Sequence, residues 1–79
     1  MARVLLFGPL RDLAGWRERT IDAGSLSGLK ALIAAEDATL AEALDGPGVQ
    51  VALDQALVRG DRALGPASEV AFLPPMSGG

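Results

Sequence analysis

The chain has no cysteine, no histidine, no tyrosine and a single lysine, Lys30, among its 79 residues. Each absence removes a class of chemistry. Without cysteine there are no disulfides and no thiolate metal sites. Without histidine the commonest zinc ligand and the usual general base near neutral pH are gone. Ser-His and Cys-His nucleophile pairs therefore cannot be assembled. Neither Gly-x-x-x-x-Gly-Lys nor Gly-x-Gly-x-x-Gly occurs, so the familiar phosphate-cradling loops are missing. Lys30 falls mid-helix, where a solvated surface role is expected rather than Schiff-base chemistry, and Glu36-Asp37 reads as a polar helix end.

Long apolar runs are missing too. Nothing approaches the ~20 residues of a membrane span, and the stretch before Gly8-Pro9 is too short for the core of a secretion signal. The bases Arg3, Arg11, Arg17, Arg19, Lys30, Arg59 and Arg62 are scattered, and aromatic residues make up only 4% of the chain. That excludes a basic, base-stacking face for nucleic acid. Ten acids against seven bases give a net charge of −3, which favours basic protein partners. The expectation is a soluble cytoplasmic protein that binds no nucleic acid, membrane or metal.

What remains is aliphatic. Hydrophobic residues make up 49% of the sequence, enough for one small core. Stability of about 4–12 kcal/mol is typical for this length. Val4–Phe7, closed by Gly8-Pro9, reads as a strand. Leu10–Ala14 fits a helical turn, and Arg17–Ile21 an edge strand with its charges toward water. Ser25 is placed to cap a main helix from Leu26 to Glu36, with Leu26, Leu29, Leu32 and Ile33 on its apolar stripe. Ala38–Leu44 predicts a second short helix, ended by Asp45-Gly46-Pro47-Gly48. Val49, Val51 and Leu53 alternate as a half-buried strand. Asp54-Gln55 turns it into Ala56–Val58, since Asp tolerates the positive φ of a two-residue hairpin. Arg59–Ser68 reads as loop, and Glu69–Leu73 as the last strand. The order predicts an α+β roll, a sheet of about five strands over one main helix plus a short one.

The last strand runs into Pro74-Pro75-Met76-Ser77-Gly78-Gly79. Proline lacks the N–H that continues a sheet ladder, so pairing is expected to stop at Pro74. The chain then divides into a folded domain, 1–73, and a flexible tail, 74–79. Four residues from Met76 reach about 13 Å when extended. The reactive group that composition cannot remove is the α-carboxylate of Gly79. It is inert until a partner activates it as an acyl-adenylate, and two glycines suit passage through a narrow tunnel. On residue chemistry alone, a frayed end and a functional tail both remain open.

Val51-Ala-Leu-Asp-Gln-Ala-Leu-Val58, the run Glu69-Val-Ala-Phe-Leu-Pro-Pro-Met-Ser-Gly-Gly79, and the opening Val4-Leu-Leu-Phe-Gly-Pro-Leu-Arg-Asp-Leu-Ala-Gly15 resemble the small, sulfur-carrier subunits of molybdopterin synthase, the MoaD branch of the MoaD/ThiS ubiquitin-like family. The resemblance covers essentially the whole chain. It implies a ubiquitin-like β-grasp fold. It further implies that Gly79 is adenylated by a MoeB-like activating enzyme that uses ATP, then becomes a thiocarboxylate. Pro75, Met76, Ser77 and Gly78 would enter the MoaE-like large subunit, where the sulfur passes to a pyranopterin precursor of molybdopterin. No cofactor is bound by the chain itself, and the catalytic groups belong to the large subunit. A sulfur-carrying protein needs a persulfide cysteine or a terminal thiocarboxylate, and this chain lacks cysteine. The alternatives are a ThiS-type or other β-grasp sulfur carrier, a ubiquitin-like modifier of lysines, and an interaction module with an inert tail. Departures from the family pattern are Ala67-Ser68 where Gly-Asp is usual, and Asp54 where asparagine is frequent.

Strand parity predicts a docking face. If Val4, Leu6, Val70 and Phe72 point inward, Phe7 and Leu73 point outward, and Leu57 opposes Ala56 and Val58. Phe7, Leu57 and Leu73 would then form an apolar patch for the large subunit and the activating enzyme. Trp16 is expected to be a packing lid, and Arg11 to be either a surface charge or one half of an ion pair.

Overall fold

A computed structural model describes residues 1–75 of the chain. The elements are β1 (Ala2–Leu6), α1 (Pro9–Ala14), β2 (Glu18–Ile21), α2 (Leu26–Glu36), α3 (Ala38–Leu44), β3 (Gln50–Leu53), β4 (Ala56–Val58) and β5 (Ser68–Leu73). The strands form one mixed sheet in the order β2-β1-β5-β3-β4, with β5 at its centre. β1 runs parallel to β5, and β3 runs antiparallel to it. The first and last strands therefore lie side by side in the middle of the sheet, with β2 and β4 at its edges, each paired antiparallel with the strand that neighbours it in sequence. This is the α+β roll that the order of apolar segments predicts.

Local chemistry accounts for the boundaries. Ser25 caps α2, its hydroxyl accepting from the Gly28 N–H at 3.1 Å. Asp37 ends α2 and starts α3, its carboxylate accepting from the Leu40 N–H at 3.0 Å. Glu36 and Asp37 are thus structural: Glu36 pairs with Arg19 through two contacts of 3.2 Å. Lys30 ties α2 to the end of α3 through Asp45 at 2.9 Å. The β3–β4 hairpin turns on Asp54 (φ 50°) and Gln55 (φ 71°), the left-handed pair that this turn requires.

Three helices cover one face of the sheet. Leu10 from α1, Leu26, Leu29 and Ile33 from α2, and Leu40 and Leu44 from α3 pack on Val4, Leu6, Val70 and Phe72. Phe72, Leu29 and Val4 are fully buried, and Leu40 and Ile33 nearly so. Trp16 packs against this core under Arg19, whose guanidinium lies 5.1 Å from the ring centroid. It serves as the lid its position suggested.

Two expectations need correction. Leu32 does not join the buried stripe; it is 44% exposed. Leu29 and Ile33 lie four residues apart and already fill the contact with the sheet, which rotates Leu32 toward solvent. The turn at Leu10–Ala14 is a six-residue helix that starts with Pro9 at its first turn and buries Leu10. The loop after β4 is also less free than its composition suggests. Leu26 N–H donates to the Arg62 carbonyl and Leu64 N–H to that of Gly24, both at 2.9 Å. Asp61 closes over the start of α2, accepting from the Ser27 N–H and hydroxyl at 2.9 Å each. Those two Ser27 bonds hold its carboxyl below the usual aspartate range, against a small opposing effect of burial.

Candidate functional site: the outer sheet face and the root of the tail

Alternation along the strands sends every second side chain to the face that no helix covers. Leu5 on β1 pairs with Ala71 on β5, Ala71 with Ala52 on β3, and Ala52 with Leu57 on β4. These four residues form one apolar row straight across the sheet, from the second strand to the far edge. Ala52 and Ala71 are each only 8% exposed, since small side chains sit low between their neighbours. Leu57, at the edge, stands 63% exposed.

The row has different neighbours on its two sides. Toward the N-terminal end of β1 the face is ionic: Arg3 lies 3.3 Å from Glu18 and also binds Glu69. Toward the C-terminal end of β5 it carries Leu73 and Phe7 beside the uncharged Gln50. Leu73 is half-buried opposite Gln50, and Phe7, just past β1, is 44% exposed. Phe7, Leu57 and Leu73 therefore all leave the helical core, as parity predicts. They do so on the same face as Leu5, Ala52 and Ala71. Parity applied to β1, β3 and β5 together finds those three as well.

The chain leaves this face at β5. Pairing ends at Leu73, as the two prolines require, and Pro74 is half-buried while Pro75 is exposed. Gly48 and Leu57 line one groove with Gln50 and Arg59 at the β3–β4 edge. Met76, Ser77, Gly78 and Gly79, expected to form the reactive end and its insertion segment, lie outside the described residues, as does their expected mobility.

The turn residues Asp54 and Ser68 are satisfied locally. The Asp54 carboxylate accepts from the Glu69 N–H at 2.9 Å, while the Asp54 N–H donates to the Glu69 carbonyl at 2.8 Å. The Ser68 hydroxyl accepts from the Gly65 N–H at 2.8 Å. Among the described residues, the ion-pair partner of Arg11 is Asp12, at 3.9 Å on the same helix. Among the described residues no cluster of carboxylates is arranged to hold a metal ion, and no helix is long and apolar enough to cross a membrane.

What the described residues offer on this face is an apolar row and the root of the tail, with the ionic group Arg3, Glu18 and Glu69 at the opposite end of the sheet from the tail root. Comparison with known proteins agrees with that arrangement. Residues 4–79 match the ThiS family. The chain is 36% identical to the molybdopterin synthase sulfur carrier subunit of Escherichia coli (strain K12), over the full length of both proteins. Among solved structures, SAMP1 from Haloferax volcanii superposes with a TM-score of 0.80 at 26% identity, covering 99% of this chain and 98% of that one. The small archaeal modifier protein 1 from Methanosarcina acetivorans gives a TM-score of 0.85 at 19% identity, over 99% and 95% of the two chains, a likeness of fold alone. The fold is the ubiquitin-like β-grasp, and the chain belongs to the ThiS family.

Proposed function

We propose that the protein is the sulfur-carrier subunit of a molybdopterin synthase, with sulfur held as a thiocarboxylate on Gly79. The observation that carries this reading is the placement of the tail root. The central strand ends beside the apolar row of the outer face, so a partner covering that row receives the chain's end directly. Full-length similarity to the Escherichia coli sulfur carrier subunit supports the assignment. So does the want of cysteine, which leaves the terminal carboxyl as the place for sulfur.

The chemistry divides between partners. In a MoeB-like activating enzyme, a carboxylate oxygen of Gly79 attacks the α-phosphorus of ATP and pyrophosphate leaves, giving an acyl-adenylate. A hydrosulfide equivalent from a donor then attacks the acyl carbon, the bond to AMP breaks, and a thiocarboxylate forms. Glycine presents the least bulk at that carbon. In a MoaE-like large subunit the thiocarboxylate sulfur attacks a carbon of the pyranopterin precursor and displaces its oxygen substituent; water then attacks the acyl carbon and breaks its bond to sulfur, leaving a thiolate on the precursor and restoring the carboxylate. This chain contributes the acyl group and the docking face; acid–base groups come from the partners. ATP is consumed by the activating enzyme and is not bound here.

Reconstitution tests the assignment. The thiocarboxylated chain, mixed with a molybdopterin synthase large subunit and the pyranopterin precursor, is expected to yield molybdopterin, detected as its fluorescent oxidation product. A loaded chain that yields none, while supporting thiazole synthesis in a thiamine system, would assign it to the ThiS-type carriers instead. A second reading, a ubiquitin-like modifier, is favoured by the likeness to SAMP1; it predicts isopeptides between Gly79 and lysines of other proteins.

A further inference from the structure

Two glycine turns converge on the chain where it leaves the sheet. β1 runs parallel to β5, so its C-terminal end lies beside the C-terminal end of β5; β3 runs antiparallel, so its N-terminal end lies there too. Gly8 follows β1 and Gly48 precedes β3, which puts one on each side of the strand's exit. Both have positive φ, +56° and +84°. A Cβ on Gly8 would stand 3.3 Å from Cγ of Pro74, and one on Gly48 only 2.6 Å from Cβ of Pro75. The first contact is tight. The second is closer than Cβ atoms approach other carbons, so a side chain there has to displace the proline.

Positive φ alone does not explain this closeness. Gly15 has φ +81° and nothing within 4 Å of its would-be Cβ. Gly15 needs glycine for its backbone only; Gly48 needs it for its backbone and for the ring packed on it.

We infer that Gly8 and Gly48 form a notch that seats Pro74 and Pro75, and so fix the point from which the carboxyl-bearing end sets out. This rests on the carrier reading. The four residues beyond Pro75 reach at most about 13 Å, so the position of Pro75 bounds where the carboxyl can go. Relieving the contact at Gly48 moves the proline by about 1 Å, a misplacement of the size that can cost a reacting group up to ~100-fold in rate. Gly8 and Gly48 are positioning residues: they touch the tail root, and the chemistry happens beyond it.

The test is the rate of thiocarboxylation by an adenylating activating enzyme with ATP and a sulfide donor, using the full chain. Gly48→Ala is expected to lower kcat by about 10- to 100-fold. KM should stay nearly unchanged, because the apolar row that docks is untouched. Gly15→Ala carries the same backbone strain without a contact and is expected to load at the wild-type rate. Pro75→Gly empties the notch from the other side. It should lower kcat as well, and the double variant Gly48→Ala/Pro75→Gly should be no slower than the slower single, since both remove one seat.

Loading of Gly48→Ala equal to that of Gly15→Ala overturns the inference, and so does a double variant whose losses multiply. Should Gly48→Ala fail to fold, Pro75→Gly alone decides: a wild-type kcat refutes the seat. Failure of the wild-type chain to load at all would instead remove the carrier reading beneath it.

Discussion

Phe72→Ala is expected to cost about 3–5 kcal/mol, the range for emptying a phenylalanine site in a packed core. That is a large part of the ~4–12 kcal/mol typical of a domain this size. Phe72 is fully buried on the central strand, paired with Leu6 on one side and Val51 on the other, beneath the helices. Its neighbours are anchored by two strands and three helices, so the space cannot collapse cheaply. At roughly 4–8 °C per kcal/mol for a small domain, the melting temperature falls by more than 10 °C. The same measurement on Leu32→Ala, a leucine of α2 that faces solvent, should show a change within about 0.5 kcal/mol. Comparable losses at both sites would contradict the placement of the core. Phe72 also lies one residue before Leu73, where pairing ends, so its loss loosens the strand that holds the tail root.

Leu57→Asp is expected to leave folding intact and to weaken binding to a molybdopterin synthase large subunit by about 30-fold or more, the ~2 kcal/mol of an interface hot spot. The asymmetry comes from where Leu57 sits. At 63% exposed on the edge strand β4 it contributes little to the core, and a charge on an edge strand is well tolerated. It also terminates the row Leu5–Ala71–Ala52–Leu57, and a partner that covers the row must dehydrate whatever stands there. Isothermal titration against the large subunit, paired with thermal unfolding, reads both halves. Unaltered affinity would show that the row is not the docking surface; a collapse of the melting temperature would show that Leu57 belongs to the core.

Much of this molecule is legible in its residues because its rules are local. Ser25 marks a helix start by what its hydroxyl can bond; Asp54-Gln55 marks a hairpin by the φ it must adopt; Pro74 ends a strand by the hydrogen it lacks. Period-two alternation sends Phe7, Leu57 and Leu73 away from the core without knowledge of the topology. The less legible features depend on which strands are neighbours. That Leu5, Ala71, Ala52 and Leu57 form one row follows only from the order β1-β5-β3-β4 and its registers. The packing of Gly48 on Pro75 joins residues 27 positions apart, and nothing in either residue announces it. Leu32 shows the limit of periodicity from the other side. A helical stripe is wider in sequence than the sheet beneath it can cover, and only the packed structure shows which leucine is left outside.

These features share one destination. On the proposed reading, a sheet with the last strand at its centre, an apolar row across its open face, and an exit between two glycine turns would together present one carboxyl group to other proteins. The central claim is that this group carries sulfur. Incubating the full chain with an adenylating activating enzyme, ATP and a sulfide donor, then recording the intact mass, tests it most directly. The account predicts a gain of one oxygen-for-sulfur exchange, reversed by hydrolysis and lost when Gly79 is deleted. An unchanged mass, or an equal gain in the chain lacking Gly79, would contradict it.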